Sequence, residues 1–426
     1  MKTGEMVVPP PVGCTDKKRV VVIGGGVSGV LTAFELARSG HSVTLVEMGG
    51  LGNGSSQRSA ACIRQQFDTL ATVRGMVFAT RFFENWSAIT KMGDNPLVQN
   101  GYLFLYDWRQ DQKVINRRVD MQRSVGLHDV EFLSPEQVDA KFPYVSTVGT
   151  ICATWCPTDG FLLPNVVYND GAEAARKLGV EVLQHCRVVD VVTEGSKISA
   201  VYVMKNGEKQ MIPGDLFVNA TGAWGGKVSE LLGGMGLPIK AWRRYLYIVK
   251  MPSETLKMMT SEDFKCCPMV IGPNGAYSHP TPSGELMMGW LHHAEAEDPD
   301  TADLEHLEFG FSINGYGEAM LREVARWLPE AADRRVSSGS CGFYEMMPDH
   351  NPVIDFDVKK SNMVHAVGFS GHGLMHAPFT ARAVAELVAS GKTLFHISLP
   401  WDIGEVDMRV YHATRDFYAN HESMHI

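Results

Sequence analysis

The sequence predicts an α/β (α+β) fold: a nucleotide-type β-α-β domain, discontinuous along the chain, carries an inserted domain built mainly on antiparallel sheet. Three observations point there. "RVVVIGGG", Arg19 to Gly26, is a β-branched run entering glycines, the pattern of a buried parallel strand. Near the other end, "NMVHAVGFSGHG" followed by "APFTARAVAELVASG" gives another strand, glycine turn and helix. Between them lie short strand-like runs separated by turn residues, with no internal repeat and no low-complexity linker.

After Gly26, residues Val27, Val30, Leu31, Phe34 and Ala37 recur at helical spacing, and Gly40 supplies a stop. "HSVTLVE" is then a second strand ending at Glu47, and right-handed crossover makes it a parallel neighbour of the first. Leu70, Val73, Val77 and Trp86 fit one long helix from Thr69 to Met92. "LPNVVYNDGAEAARKLGV" gives another, with Pro164 near its start and Gly179 at its end, followed by one strand over "EVLQHCRVVDVV". "KISAVYVMKNGEKQMIPGDLFVNATG" reads as a hairpin turning at Asn206-Gly207, then a strand into Ala220-Thr221-Gly222. "RRYLYIVKM", "AYSHP" and "GELMMGW" are further strands. Leu321, Val324, Ala325 and Leu328 mark a helix that Pro329 ends, and Gly391 stops the last one.

Composition narrows the function classes. The chain has 426 residues, 45% of them hydrophobic, enough for two to three buried cores. Its net charge of -9 comes from 39 basic and 48 acidic residues that are interspersed, which disfavours a nucleic-acid or anionic-membrane partner. No apolar run reaches the roughly 18 residues of a membrane span. "MKTGEMVVPPPVGCTDKKR" lacks the apolar stretch of a signal peptide, so a cytoplasmic location is expected, an organelle matrix being compatible. The 8 cysteines fit reduced thiols, since neither Cys152/Cys156 nor Cys266/Cys267 has a second pair at zinc-site spacing. His292 and His293 precede an acidic run that reads as a solvated loop, and no metal site is expected.

Gly24, Gly26 and Gly29 form GxGxxG between a strand and a helix. The first allows the tight turn, the second lets backbone approach a pyrophosphate, and the third lets helix and strand pack closely. Glu47, at the tip of the second strand, can accept from ribose hydroxyls and would repel a 2′-phosphate. That disfavours NADP and leaves FAD and NAD open. The second glycine turn, in "VGFSGHGLMHAPF", favours FAD, whose ring lies far from its adenine when the molecule is extended.

At "SAACIRQQF" and "GFYEMMPDHNP…GFSGHG" the sequence resembles the glycine oxidase, sarcosine oxidase and D-amino acid oxidase superfamily of flavoproteins, from Arg19 to about Pro400. The resemblance implies FAD and oxidation of an amine by hydride loss to the flavin. It implies cofactor contacts at Gly24, Gly26, Val27, Ser28, Gly29, Glu47, Ser55, Ser56 and Ser59. Val188, Ala220, Thr221, Gly222, Gly342, Gly371, His372, Gly373 and Leu374 complete that set. Arg64 matches the arginine that pairs with a substrate carboxylate, and Tyr277 and Tyr344 match tyrosines near the substrate.

The chain also departs from the family. The cysteine that carries covalent flavin in monomeric sarcosine oxidases aligns with Gly342; Cys341 is one residue early, on the other strand face, so non-covalent FAD is expected. Met287 and Met375 stand where those enzymes have lysines, which favours a dehydrogenase and a larger or less charged amine than sarcosine. His279, His376 or Arg244 could assist Arg64. The expected activity is oxidation of a C–N bond in a secondary amine or amino or imino acid, with oxygen, a quinone or a partner subunit as acceptor. The alternatives are oxidation of a 2-hydroxy acid, with His279 or His376 as base, and a flavin-binding subunit or assembly factor without turnover. An oligomer is compatible with all of them. The expected division is a flexible extension at 1–17, a Rossmann-like FAD-binding domain from 18–90, 155–235 and 336–402, an inserted substrate domain from 91–154 and 236–335, and a tail at 403–426.

Overall fold

The computed structural model describes residues 8–252, 267–281, 284–290 and 316–419. The His292-His293 pair and its acidic run lie outside the described residues. A six-stranded sheet runs in the order Val353–Phe356, Met363–Val367, Leu216–Asn219, Arg19–Ile23, Ser42–Val46, Glu181–Leu183. Its neighbours are parallel except the edge pair Val353–Phe356 and Met363–Val367. Both faces are covered, which explains the unbroken apolar run of the first strand. Val20 and Val22 join the core beneath helices Val27–Arg38, Leu70–Glu84, Pro164–Lys177 and Gly373–Ser390. Val21 and Ile23 pack on the other side against Ile198, Val201 and Val203 of a three-stranded antiparallel sheet. Each fully buried Val or Leu there contributes about 1.5–3 kcal/mol.

The second layer system is an eight-stranded sheet, in the order Val336–Met346, Lys240–Val249, Leu286–Trp290, Ala276–Pro280, Met269–Ile271, Tyr102–Tyr106, Cys152–Cys156, Glu131–Leu133. All its pairs are antiparallel except Met269–Ile271 with Tyr102–Tyr106. Helix Tyr316–Val324 covers one face with Met320, Leu321 and Val324. Strand Val336–Met346, grouped by sequence with the cofactor domain, belongs to this sheet because it pairs with Lys240–Val249 along its whole length. Cys152–Cys156 likewise crosses the expected boundary at 154.

Other differences are local. The long helix expected over Thr69–Met92 breaks at Asn85, whose side-chain amide donates to the Arg81 carbonyl at 2.8 Å. The single strand expected over "EVLQHCRVVDVV" is two, in different sheets, separated by a turn with His185 at φ 55°. That switch keeps the β-branched composition on both sides, so composition alone hides it. The helix expected to run to Leu328 ends at Val324. The last helix begins at Gly373, earlier than expected, and contains Pro378.

The described part of the N-terminal extension is tied down where a flexible segment was expected, and so is the described part of the C-terminal tail. The Pro9 carbonyl accepts from Arg38 at 2.7 Å, the Pro10 carbonyl accepts from Arg382 at 2.8 Å, and Val12 is buried. The tail begins with strand Gly404–Asp407, which pairs back onto His396–Leu399. Beyond it Arg415 donates two charge-assisted bonds to Asp349, at 2.6 and 3.1 Å, and a third to the Asn351 carbonyl at 2.6 Å. Both side chains of that ion pair are buried. Among the described residues no cysteine forms a disulfide and no helix is long and apolar enough to cross a membrane.

Candidate functional site

The first strand delivers the chain into a turn that only glycine fits. Gly24 has φ +110°, and a Cβ there would lie 2.3 Å from the Ala220 carbonyl oxygen. A Cβ on Gly29 would lie 1.9 Å from the Gly24 carbonyl oxygen, so this position sets how closely helix and strand approach. Gly26 differs: its Cβ would meet only the Ser56 hydroxyl, at 3.1 Å, and would point into open space at the helix N-terminus. Such an N-terminus presents N–H groups and the positive end of the helix dipole to an anion. The Glu47 carboxylate accepts from the Gly25 N–H at 2.6 Å and the Gly49 N–H at 2.7 Å, which fixes it beside the turn with lone pairs to spare.

From this turn a cavity of about 420 Å³ reaches across to the second sheet. At the near end it is lined by Gly24, Gly26, Val27, Ser28, Glu47 and Val188, then by Ala220, Thr221 and Gly222. Ser55, Ser56 and Ser59 line its middle. Their hydroxyls also build the crossing: Ser55 donates to the Phe343 carbonyl at 2.7 Å, Ser56 accepts from the Val27 N–H at 3.2 Å, and Ser59 accepts from the Ala61 N–H at 2.9 Å. At the far end stand Gly342, Tyr344, Tyr277, Arg244, Gly371, Gly373 and Leu374. Helix Gly373–Ser390 therefore points a second positive N-terminus at the same cavity.

The tyrosines occupy the far end because glycines face them. A Cβ on Gly289 would lie 2.1 Å from the Tyr277 ring, and one on Gly371 would lie 2.4 Å from the Tyr344 ring. The two phenols are hydrogen-bonded to each other, and burial pushes both up, so both are protonated at neutral pH.

Seven expected residues do not line the cavity: Gly29, Arg64, His279, Met287, His372, Met375 and His376. Arg64 is 1% exposed, its guanidinium carbon 4.2 Å from the Phe67 ring centre and Nη2 3.4 Å from His372 Nε2. Phe67 also meets the rings of His372 and His376 edge-on. His376 places Nδ1 3.1 Å from the His372 carbonyl oxygen, so Nδ1 carries the proton; burial, with the Arg64 charge behind it, holds its pKa down to about 4. His279 faces the Pro280 carbonyl at 2.8 Å and stacks on Phe161, and burial lowers its pKa. Met375 is in the main core, whereas Met287 is half-buried beside the cluster that contains Leu246 and Tyr277. Cys341 is fully buried and does not reach the cavity wall.

Sequence reasoning missed several lining residues: Met48, Arg58, Arg187, Trp224, Lys227, Phe343, Glu345 and Phe369. Glu345 had a signal, being a charged residue inside the most specific motif. It accepts from the Gly368 N–H at 2.8 Å, and burial pushes its carboxyl up to about 7 against the N–H groups of Gly368 and Phe369. Asp159 gave none. It is fully buried, accepts from the Gln65 N–H and from the Gln65 and Gln66 side chains at 2.8, 3.2 and 3.0 Å, and so fixes the segment after Arg64.

Two helix N-termini and a glycine cradle on one elongated cavity suit a ligand with an anionic middle and two separated ends. Comparison with known proteins agrees. The family model for the FAD dependent oxidoreductases (DAO) matches residues 19–387. "FAD-dependent oxidoreductase domain-containing protein 1" of Xenopus laevis is 29% identical over 419 residues, 89% of this chain and 81% of that protein. Monomeric sarcosine oxidase of Bacillus sp. (strain B-0618) is 24% identical over 386 residues, 89% of this chain and 94% of that enzyme. The crystal structure of L-proline dehydrogenase from P. horikoshii matches with a TM-score of 0.77 at 28% identity, covering 89% of this chain and 95% of that one. The matched span holds both glycine turns and the second sheet, and the chain belongs to the FAD-dependent oxidoreductases of the DAO family, with FAD as its cofactor.

Proposed function

We propose that this protein oxidises the C–N bond of a secondary amine or of an amino or imino acid, as a dehydrogenase with non-covalently held FAD. The observation that carries this is one continuous cavity that joins the glycine turn at Gly24 and Gly26 to a far end walled by Tyr277, Tyr344 and Arg244. FAD, when bound, supplies the hydride acceptor. Gly26, Val27, Ser28 and Glu47 fit its nucleotide half, and Gly371, Gly373 and Leu374 fit its other half. Cys341, buried away from the cavity, supports non-covalent binding. Met287 brings no positive charge toward that end, which supports a dehydrogenase over a fast oxidase.

A neutral amine needs no strong base to surrender a hydride, whereas a 2-hydroxy acid does. His279 and His376, the bases expected for that chemistry, are both turned to backbone carbonyls and neither lines the cavity. The geometry therefore favours the amine. The relatives named for sarcosine and proline act on secondary amines, which supports the same class here.

The test is anaerobic mixing of the purified yellow protein with a panel of N-methyl amino acids, cyclic imino acids and 2-hydroxy acids. Bleaching of the flavin by amines and not by hydroxy acids is expected, with slow return of colour in air. Flavin that stays oxidised with every amine would overturn the reading and leave a cofactor-binding protein without turnover.

A further inference from the structure

We infer that Arg244, rather than Arg64, receives a carboxylate of the substrate, so that the substrate class is an amino or imino acid with a free carboxylate. The inference rests on the amine-oxidation reading for its substrate and on independent geometry for its residue.

Arg244 lies on strand Lys240–Val249 directly opposite Gly342, over which Arg58 packs. It is only 9% exposed, and it lines the far end of the cavity, which Arg64 does not. Its guanidinium carbon lies 5.0 Å from the Trp242 ring centre and 5.6 Å from that of Tyr344. Its Nη1 donates to the Arg243 carbonyl at 3.0 Å, its buried Nε has no hydrogen-bond partner, and no carboxylate among the described residues pairs with it. A guanidinium stays charged at every accessible pH. Such a cation, buried and with no carboxylate partner among the described residues, is costly unless an anion completes the site. Its planar fork matches a carboxylate, and the neighbouring Trp242 and Tyr344 rings lie within cation–π reach of it. Leu246 and Tyr277 beside it offer an apolar wall to the rest of the molecule.

Spectral titration of the FAD-loaded protein tests this with cyclopentanecarboxylate, which has no amine to oxidise, and its neutral amide as control. The acid should perturb the flavin spectrum about ten- to hundredfold more tightly than the amide. Arg244→Met should lose that preference, Arg244→Lys should keep part of it, and Arg64→Met should keep most of it. Equal binding of acid and amide by the unaltered protein would overturn the inference, as would an Arg244→Met protein that still prefers the acid. So would loss of the preference in Arg64→Met alone. The two readings fail separately. Acid preference without bleaching by any amine leaves Arg244 assigned and removes the oxidation reading. Bleaching indifferent to a carboxylate does the reverse.

Discussion

The two ends of the cavity are built in different ways. The nucleotide end is local: one strand, one turn and one helix bring Gly24, Gly26 and Gly29 together within a few residues. The far end is assembled from strands remote in sequence, with Arg244, Tyr277 and Tyr344 each on a different strand of the eight-stranded sheet. The first is held by backbone sterics, the second by side chains laid over glycines. A locally built site should respond to substitution in an all-or-none way. One built from register should lose specificity by degrees.

The largest expected effect tests the first half of that statement. Gly29→Ala would put a methyl group 1.9 Å from a backbone oxygen that cannot move without breaking the turn. The expected product is colourless, destabilised protein. Gly26→Ala meets only the Ser56 hydroxyl, and its extended backbone suits alanine. It should leave the melting temperature of cofactor-stripped protein within a degree or two while weakening FAD binding. If the two variants lost stability equally, Gly26 would be a packing glycine and the cradle argument would fail.

Next is the ion pair that anchors the far end from outside. Arg415→Ala leaves Asp349 as a buried carboxylate without its partner, which costs about 3–5 kcal/mol. Asp349 lies just beyond strand Val336–Met346, so substrate affinity should fall along with the denaturant midpoint. A midpoint shift below about 1 kcal/mol would mean that water enters and solvates Asp349.

How much of this was legible follows from the same contrast. The GxGxxG turn and Glu47 were readable as cavity-lining residues because one β-α-β unit brings them together, whereas Ser55, Ser56 and Ser59 were readable only through the family resemblance. Glu345 needed the register that sets it against Ala241, which no local pattern encodes, and Arg244, expected only as a helper of Arg64, needed the register that sets it against Gly342 to be placed on the cavity wall. Arg64 and His376 were readable as chemical residues but not as buried ones. Their burial depends on two segments remote in sequence meeting, the Arg64–Phe67 stretch packing against His372 and His376. The sheet switch at Gln184-His185 was hidden because β-branched residues continue on both sides.

A smaller effect probes the far end directly. Gly371→Ala would set a methyl group 2.4 Å from the Tyr344 ring, at a backbone φ of +94° that alanine rarely adopts. Overpacking of this kind costs about 1–3 kcal/mol. Displacing the ring should raise KM for the amine more than it lowers FAD content. Loss of FAD with unchanged KM would move Tyr344 from the substrate end to the cofactor.

The smallest expected effect is a change of slope. Glu345 has its carboxyl pushed from 4.5 up to about 7 by burial, so the folded protein binds its proton over a range in which the unfolded chain has released it. Stability from this group is complete below about pH 4.5, declines as pH rises through that window, and levels off above about pH 7. Glu345→Gln keeps an acceptor for the Gly368 N–H and removes the titration, so cofactor-stripped protein should lose that part of the decline in melting temperature between pH 5 and 7.5. FAD binding beside it should add a pH dependence that the variant lacks. An unchanged slope in Glu345→Gln would mean that water reaches the carboxylate through the cavity and screens it. The far end would then be wetter than its walls suggest, and the pull of Arg244 on an anion would be weaker for the same reason.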